Sequence, residues 1–271
     1  MVLRPGRAAK MARVIDHVLA LLPLEPPYMQ AAGMTCDFVG HPVVTERQAT
    51  PEEVAALRAE LAIAPDQPVL ALLPGSRRGE VTRLAPVFAE VARRLRTTAP
   101  ELAVIVPAAP SVVDHLDAAL KPDAQGWPHV LDPRGFAAPA WEARKRAAFA
   151  AADVALAASG TVSLELAAAG TPMVIAYDAN PVTVWLAKRL VRVETATLVN
   201  LVTDTRAVPE FFAERCRPEL IAPAVETLFA DPSASAAQVA AADRAMQLLG
   251  RGGEPPGLRA ARSVLRKISG G

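Results

Sequence analysis

A chain of 271 residues, 52% of them hydrophobic, is long enough for one large or two ordinary α/β domains with a sizeable buried core. Lys and Arg total 29 against 28 Asp and Glu, a formal net charge of +1, so no overall field recruits nucleic acid. The two cysteines, Cys36 and Cys216, lie far apart without metal-ligand spacing, and no run of 18 apolar residues offers a membrane span. That pattern excludes a disulfide framework and suits thiols kept reduced in a cytoplasm. The basic start, residues 1–7, lacks the continuous apolar region and cleavage site of a signal peptide.

Taken in order, residues 16–22 read as a buried strand, 25–32 as a short helix stopped at Gly33, and 36–39 as a second strand. Two parallel strands and a helix cannot close a core alone, so this opening needs more chain or the edge of another sheet. His41-Pro42 and the polar residues 45–51 read as a linker. From Thr50 the pattern becomes regular. Thr50 caps a helix with Pro51 at its first position and Glu53 at its third, ending near Ala62, and 68–73 follows as a buried strand. After Gly75-Ser76-Arg77 comes a helix marked by Val81, Leu84, Val87, Phe88, Val91 and Leu95, its start obscured by Pro86. The alternation continues with a strand at 103–106, a helix at 111–120, a strand at 129–131, an amphipathic helix at 139–151, a strand at 153–157, a helix at 162–169 closed by Gly170, and a strand at 172–176. Five strands separated by helices through short connections predict an α/β fold with a doubly wound parallel sheet.

Beyond the sheet, 181–191 reads as a helix carrying Trp185, Lys188 and Arg189, and 197–202 as an apolar run interrupted by Asn200. A lone Asn there is either a turn former or a group placed for hydrogen bonding. Nearby Arg206 and Glu210 read first as surface charges. Helices are predicted at 218–229 and 233–249, and a basic one at 258–268, whose charges suit a solvated face first and anionic lipid headgroups second.

Two turns carry candidate chemistry. Ser159-Gly160-Thr161 joins a buried strand to a short helix, and such a turn aims backbone N–H groups and the positive end of a helix dipole at one point, as a phosphate requires. One turn into that helix, Glu165 is a carboxylate in an Ala-rich segment, able to accept both hydroxyls of a ribose whose phosphates rest on the turn. The same residues also fit a plain N-cap followed by a first-turn acid. Gly75-Ser76 makes a second strand-to-helix turn, with Arg77 adding a fixed charge, although such turns are often mere punctuation. Both turns fall at the carboxyl edge of the predicted sheet, where ligands of doubly wound folds sit.

Several segments together resemble lipid-A-disaccharide synthases: Arg4-Pro5-Gly6-Arg7, Phe38-Val39-Gly40-His41-Pro42, Leu72-Leu73-Pro74-Gly75-Ser76-Arg77, Ser159-Gly160-Thr161 through Glu165, Pro172-Met173-Val174, Trp185-Leu186-Ala187-Lys188-Arg189-Leu190-Val191 and Asn200-Leu201. The resemblance runs from the first residues to about Asp231. It implies a GT-B architecture of two Rossmann-like domains, with UDP-2,3-diacylglucosamine as donor and 2,3-diacylglucosamine 1-phosphate as acceptor, joined by a β-1,6 bond with release of UDP. It further implies peripheral association with the cytoplasmic face of the inner membrane and no cofactor. In these terms Arg77 and Asn200 serve the diphosphate and the charge developing on it. Gly75, Ser76, Ser159, Gly160, Thr161, Glu165 and Arg206 bind the donor, and no metal is needed where helix ends and arginine carry the charge.

The resemblance also implies that relatives are longer at the N-terminus by about one domain, roughly 100–150 residues. The glycine-rich loop and the general base would lie there, outside this chain. Residues 1–45 are then expected to be a remnant of the acceptor-side domain with its linker, 46–232 the donor-binding domain and 233–271 C-terminal helices. Two other readings stay open: a UDP-sugar-binding fragment without catalysis, and a different GT-B enzyme such as a UDP-GlcNAc epimerase.

Overall fold

The computed structural model describes residues 5–123, 126–178 and 195–269. Helix α1 (Pro5–Met11) leads into strand β1 (His17–Ala20), helix α2 (Pro26–Ala31) and strand β2 (Thr35–Phe38), which lies parallel to β1. Ala20, Met29, Met34 and Cys36 form a small apolar cluster of their own. A 3-10 turn, Pro42–Thr45, begins where His41 Nδ1 accepts the Val43 N–H at 3.2 Å. The predicted capping box then opens α3 (Pro51–Glu60): the Glu53 N–H donates to Thr50 Oγ1 (3.3 Å) and the Thr50 N–H to Glu53 Oε2 (2.9 Å).

The main body follows as β3 (Val69–Leu73), α4 (Arg78–Thr98), β4 (Ala103–Pro107), α5 (Val113–Leu120), β5 (His129–Leu131), α6 (Ala138–Ala151), β6 (Val154–Ala158), α7 (Val162–Ala169) and β7 (Met173–Tyr177). The expected helix with Trp185, Lys188 and Arg189 lies outside the described residues. The chain then gives α8 (Leu198–Thr203), β8 (Glu210–Phe212), α9 (Pro218–Ala230), α10 (Pro232–Leu248) and α11 (Pro256–Ser269).

Among the described residues six strands form one parallel sheet in the order β5-β4-β3-β6-β7-β8. Every residue of β3 and β6 is buried, as a sheet covered on both faces requires. Side chains alternate strictly between two layers. Ala71, Ile105, Ala157 and Ile175 face one layer with parts of α6, α7 and α10, whereas Leu72, Val104, Leu156 and Val174 face the other with α4, α5 and α9. Fully burying each of the larger side chains contributes about 1.5–3 kcal/mol. Polar side chains add two further ties: the exposed Asp153 accepts the Val69 N–H through Oδ2 (2.8 Å), and the buried Gln238 on α10 accepts the Met173 N–H (2.9 Å).

The sheet has one strand more than expected. Glu210-Phe211-Phe212 pairs with β7 as β8, and Glu210 is no plain surface charge: its Oε1 accepts the Thr197 N–H at 2.8 Å and the Thr195 hydroxyl. The small β1–β2 sheet does not join the edge of the large one. Instead α11 returns to it: Arg259 donates to the Phe38 carbonyl (2.7 Å), and Ser263 Oγ to Asp37 Oδ2 (2.7 Å) while contacting His17 Nε2 (2.8 Å). The Ser263 hydrogen bond, with Arg266 at 3.1 Å, holds the Asp37 carboxyl below the usual range.

Candidate functional site

The winding of the large sheet reverses at one place. The chain starts it at β3, runs outward through β4 to β5, returns to lay β6 on the other side of β3, and runs outward again to β8. Connections leaving β3 and β6 therefore diverge, and the crevice between them is where such sheets receive ligands. A cleft of about 730 Å³ occupies it. Its floor is the end of β3 with Gly75, Ser76 and Arg77; one wall is the turn Ser159-Gly160-Thr161, and Pro107 to Pro110 line another side.

Two helices point their starts into this space. The first N–H groups of a helix have no acceptor within it. Neither α4 nor α7 supplies one from a side chain, since Arg77 and Thr161 make no capping hydrogen bond. The expectation that residues 159–161 also cap α7 is thus corrected. Ser159 Oγ donates to the Ala196 carbonyl (3.4 Å), and it is Ser163 Oγ that donates back to the Gly160 carbonyl (2.8 Å). What remains at both ends is backbone N–H and positive dipole, the elements of an anion site.

Gly75 keeps one approach open. Its φ is +117°, and a Cβ there would stand 2.8 Å from both Cβ and Oε2 of Glu80. Arg77 Nη1 lies 3.0 Å from Glu80 Oε1, with the arginine side chain 82% exposed. Solvent screens the guanidinium end of this pair, although Glu80 itself is only 16% exposed, so Arg77 is free to turn from Glu80 toward a phosphate.

Glu165 stands one turn into α7 and is also part of the wall. Its Oε2 is 2.8 Å from Lys145 Nζ, and the same ammonium lies 2.9 Å from Glu142 Oε2 and 5.9 Å from the centre of the Phe149 ring. Burial alone would lower the Lys145 pKa, but the hydrogen bonds to the two carboxylates outweigh it and hold the ammonium above its ordinary value. Beyond this triad the wall is aromatic: Trp141 is buried, and Phe136 tilts against it at 6.3 Å and 51°. Arg144 covers Phe136 at 5.3 Å and is paired to Glu60, so the aromatic corner is held from outside the cleft. A flat, largely apolar group fits this corner, an anion the helix starts, and a diol the carboxylate between them.

The cleft brings together seven of the nine residues named from the sequence: Gly75, Ser76, Arg77, Ser159, Gly160, Thr161 and Glu165. Asn200 is not among them. It is wholly buried and spends its amide on the backbone, donating to the Val208 carbonyl (2.9 Å) and accepting the Val208 N–H (3.0 Å). Arg206 is exposed, donates to the Thr205 carbonyl (2.8 Å) and does not line the cleft. Sequence reasoning missed Lys145 and the aromatic corner. The available signal was the spacing of Trp141, Lys145 and Phe149, four residues apart on one helical face.

Solved structures share the fold at low identity. A UDP-GlcNAc 2-epimerase from Neisseria meningitidis aligns with a TM-score of 0.59 at 12% identity, over 88% of this chain and 62% of that one. The wall teichoic acid polymerase TagF aligns with 0.55 at 12%, over 97% and 60%. These likenesses place the α/β body among GT-B folds. Among curated proteins, the lipid-A-disaccharide synthases of Ruegeria pomeroyi and Rhodospirillum centenum are 60% and 45% identical, each over 98% of this chain. The chain spans 65% and 64% of the lengths of these two relatives. The family model described as lipid-A-disaccharide synthetase matches residues 2–254, and with a match of that extent the chain belongs to the lipid-A-disaccharide synthetase family.

Proposed function

We propose that the chain carries the donor-nucleotide site of a lipid-A-disaccharide synthase, a glycosyltransferase that moves 2,3-diacylglucosamine from its UDP donor to 2,3-diacylglucosamine 1-phosphate. A β-1,6 bond forms and UDP leaves. The observation that carries this reading is the convergence of two helix starts without side-chain caps, at Arg78 and Val162, on one cleft that also holds Glu165. In this assignment the N–H groups after Gly75-Ser76 and around Ser159-Gly160-Thr161 receive the diphosphate, and Arg77 leaves Glu80 to meet the charge that grows as the glycosidic bond breaks. Glu165 accepts the ribose hydroxyls, and the uracil lies toward Trp141 and Phe136. Inversion at the donor carbon needs a base near the acceptor hydroxyl, and we assign that base to the part of the protein that relatives carry beyond this chain's span.

The lipid substrates imply peripheral attachment to the cytoplasmic face of the inner membrane. Among the described residues no helix is long and apolar enough to cross a bilayer, and α11 presents exposed Leu258, Leu265 and Ile268 beside Arg262 and Lys267, a composition suited to an interface. We further propose that residues 1–45 belong with the acceptor side and 46–232 with the donor side, with the last helices closing the unit. Titration calorimetry of UDP into the 271-residue chain tests the nucleotide site, and thin-layer assay of disaccharide formation by a protein of the relatives' full length tests the reaction. Full-length turnover without UDP binding by the shorter chain would move the donor site elsewhere. Tight UDP binding with no turnover in either protein would favour a binding module.

A further inference from the structure

Lys145 stands between two carboxylates of different origin. Glu142 lies one turn earlier on the same helix, whereas Glu165 belongs to α7, and all three line the cleft. The geometry points to Lys145 as a positioning residue for the ribose contact: it pins the Glu165 carboxylate through Oε2 and offsets Glu142, so that a nucleoside diphosphate meets one oriented acceptor in place of two like charges. This inference rests on the nucleotide reading given above.

The charges in the cleft show why the ammonium matters. Among the described residues its ionisable side chains are Arg77 and Lys145 against Glu80, Glu142 and Glu165. Arg77 is already matched by Glu80 at 3.0 Å. Without Lys145, two carboxylates that now share one ammonium within 2.9 Å would face each other and a polyanionic ligand. Like charges so placed repel, and a Glu165 pushed off its position loses the acceptor geometry that a vicinal diol requires. Lys145 is half-buried and its ammonium also faces the Phe149 ring at 5.9 Å, which limits where it can go. A residue that merely fastened α6 to α7 would need neither Glu142 nor a place in the cleft wall.

The experiment compares UDP with 2′-deoxy-UDP, because only the ribose contact distinguishes them. Calorimetric titrations are made on the wild-type chain, on Lys145→Met, on Lys145→Gln as the polar variant should the first fail to fold, and on Glu142→Gln/Lys145→Met, with folding followed by circular dichroism. The wild type is expected to prefer UDP by about tenfold or more, the scale of a hydrogen bond to a charged group. Lys145→Met or Lys145→Gln is expected to weaken UDP by at least that factor and bring the two ligands close to parity. Removing the Glu142 charge as well should return part of the affinity but not the preference, because Glu165 is still unpinned. An unchanged preference in the folded lysine variants, with only the melting temperature lowered, would show a helix fastener and overturn the inference alone. Absence of UDP binding by the folded wild type would overturn the nucleotide reading and the inference with it.

Discussion

Asn200 pairs with Val208 as one strand pairs with another. Its amide donates to the Val208 carbonyl at 2.9 Å and accepts the Val208 N–H at 3.0 Å, with the side chain wholly buried. This closes the loop between α8 and β8 and aims Glu210 at Thr197. Asn200→Ala leaves both backbone groups of Val208 without that partner, at a cost of about 1–3 kcal/mol for each group left unsatisfied in the interior. Urea unfolding should therefore show a clearly lowered midpoint, while UDP affinity measured below the transition stays near wild type. Lost UDP binding in a variant of wild-type stability would return Asn200 to the ligand.

Glu165→Ala is expected to weaken UDP by about 1.5–3 kcal/mol, the range for hydrogen bonds to a charged partner. The loss should be confined to ligands with an intact ribose: UDP weakens, whereas pyrophosphate, which offers no diol, is unaffected. Equal losses for both ligands would show that the carboxylate acts on the phosphate site or the fold, and not on the sugar.

Much of this was legible in the sequence where the cause was local. Thr50 and Glu53 are three residues apart, so their capping box could be written down before the helix was seen. The strands at Val69–Leu73 and Val154–Ala158 are apolar throughout because both faces are covered, and their ends placed both turns on one edge. What escaped depends on pairs that no window contains. Lys145 meets Glu165 across two helices, and Glu210-Phe211-Phe212 is too short and too acidic to read as a strand until β7 offers its edge. Asn200 interrupts an apolar run and so draws a role at the diphosphate, yet its partner eight residues on leaves no pattern in the chain.

Arg77 should matter for charge, not for folding. Its side chain is 82% exposed, so Arg77→Ala is expected to change the melting temperature by no more than a surface substitution typically does. In a full-length enzyme the same change should lower kcat by about a hundred- to a thousandfold, the scale for loss of one donor aimed at developing charge. Wild-type turnover in that variant would remove Arg77 from the chemistry.

Gly75 is required for two reasons that act together. Its φ of +117° is strained for any residue with a side chain, and the added carbon would sit 2.8 Å from Glu80 Cβ, an atom close to the backbone that cannot swing aside. Gly75→Ala is expected to cost about 1–3 kcal/mol of stability as backbone strain. Because the strain falls in the turn before α4, UDP affinity should drop as well. A variant with unchanged denaturant midpoint and unchanged affinity would mean that the turn has another conformation open to it.

Two half-buried histidines, His41 and His129, set the acid side of the stability profile. Burial pushes His41 below its ordinary 6.5, with Glu165 and Glu25 pulling the other way, and burial does the same to His129 against Asp123. A depressed pKa in the folded state means that the unfolded chain takes up protons that the folded chain does not. The stability from keeping these rings neutral is therefore fully present above pH 6.5 and falls as pH drops through that value toward the folded-state pKa. Melting temperature should be flat from about pH 8 to 7 and begin to decline below pH 6.5, before the bulk of the carboxylates titrate near pH ~4. The combined variant His41→Asn/His129→Gln, in which Asn can still accept the Val43 N–H, should abolish the early decline and keep the later one. If it declines in step with the wild type between pH 6.5 and 5, other groups govern that window and these two rings do not.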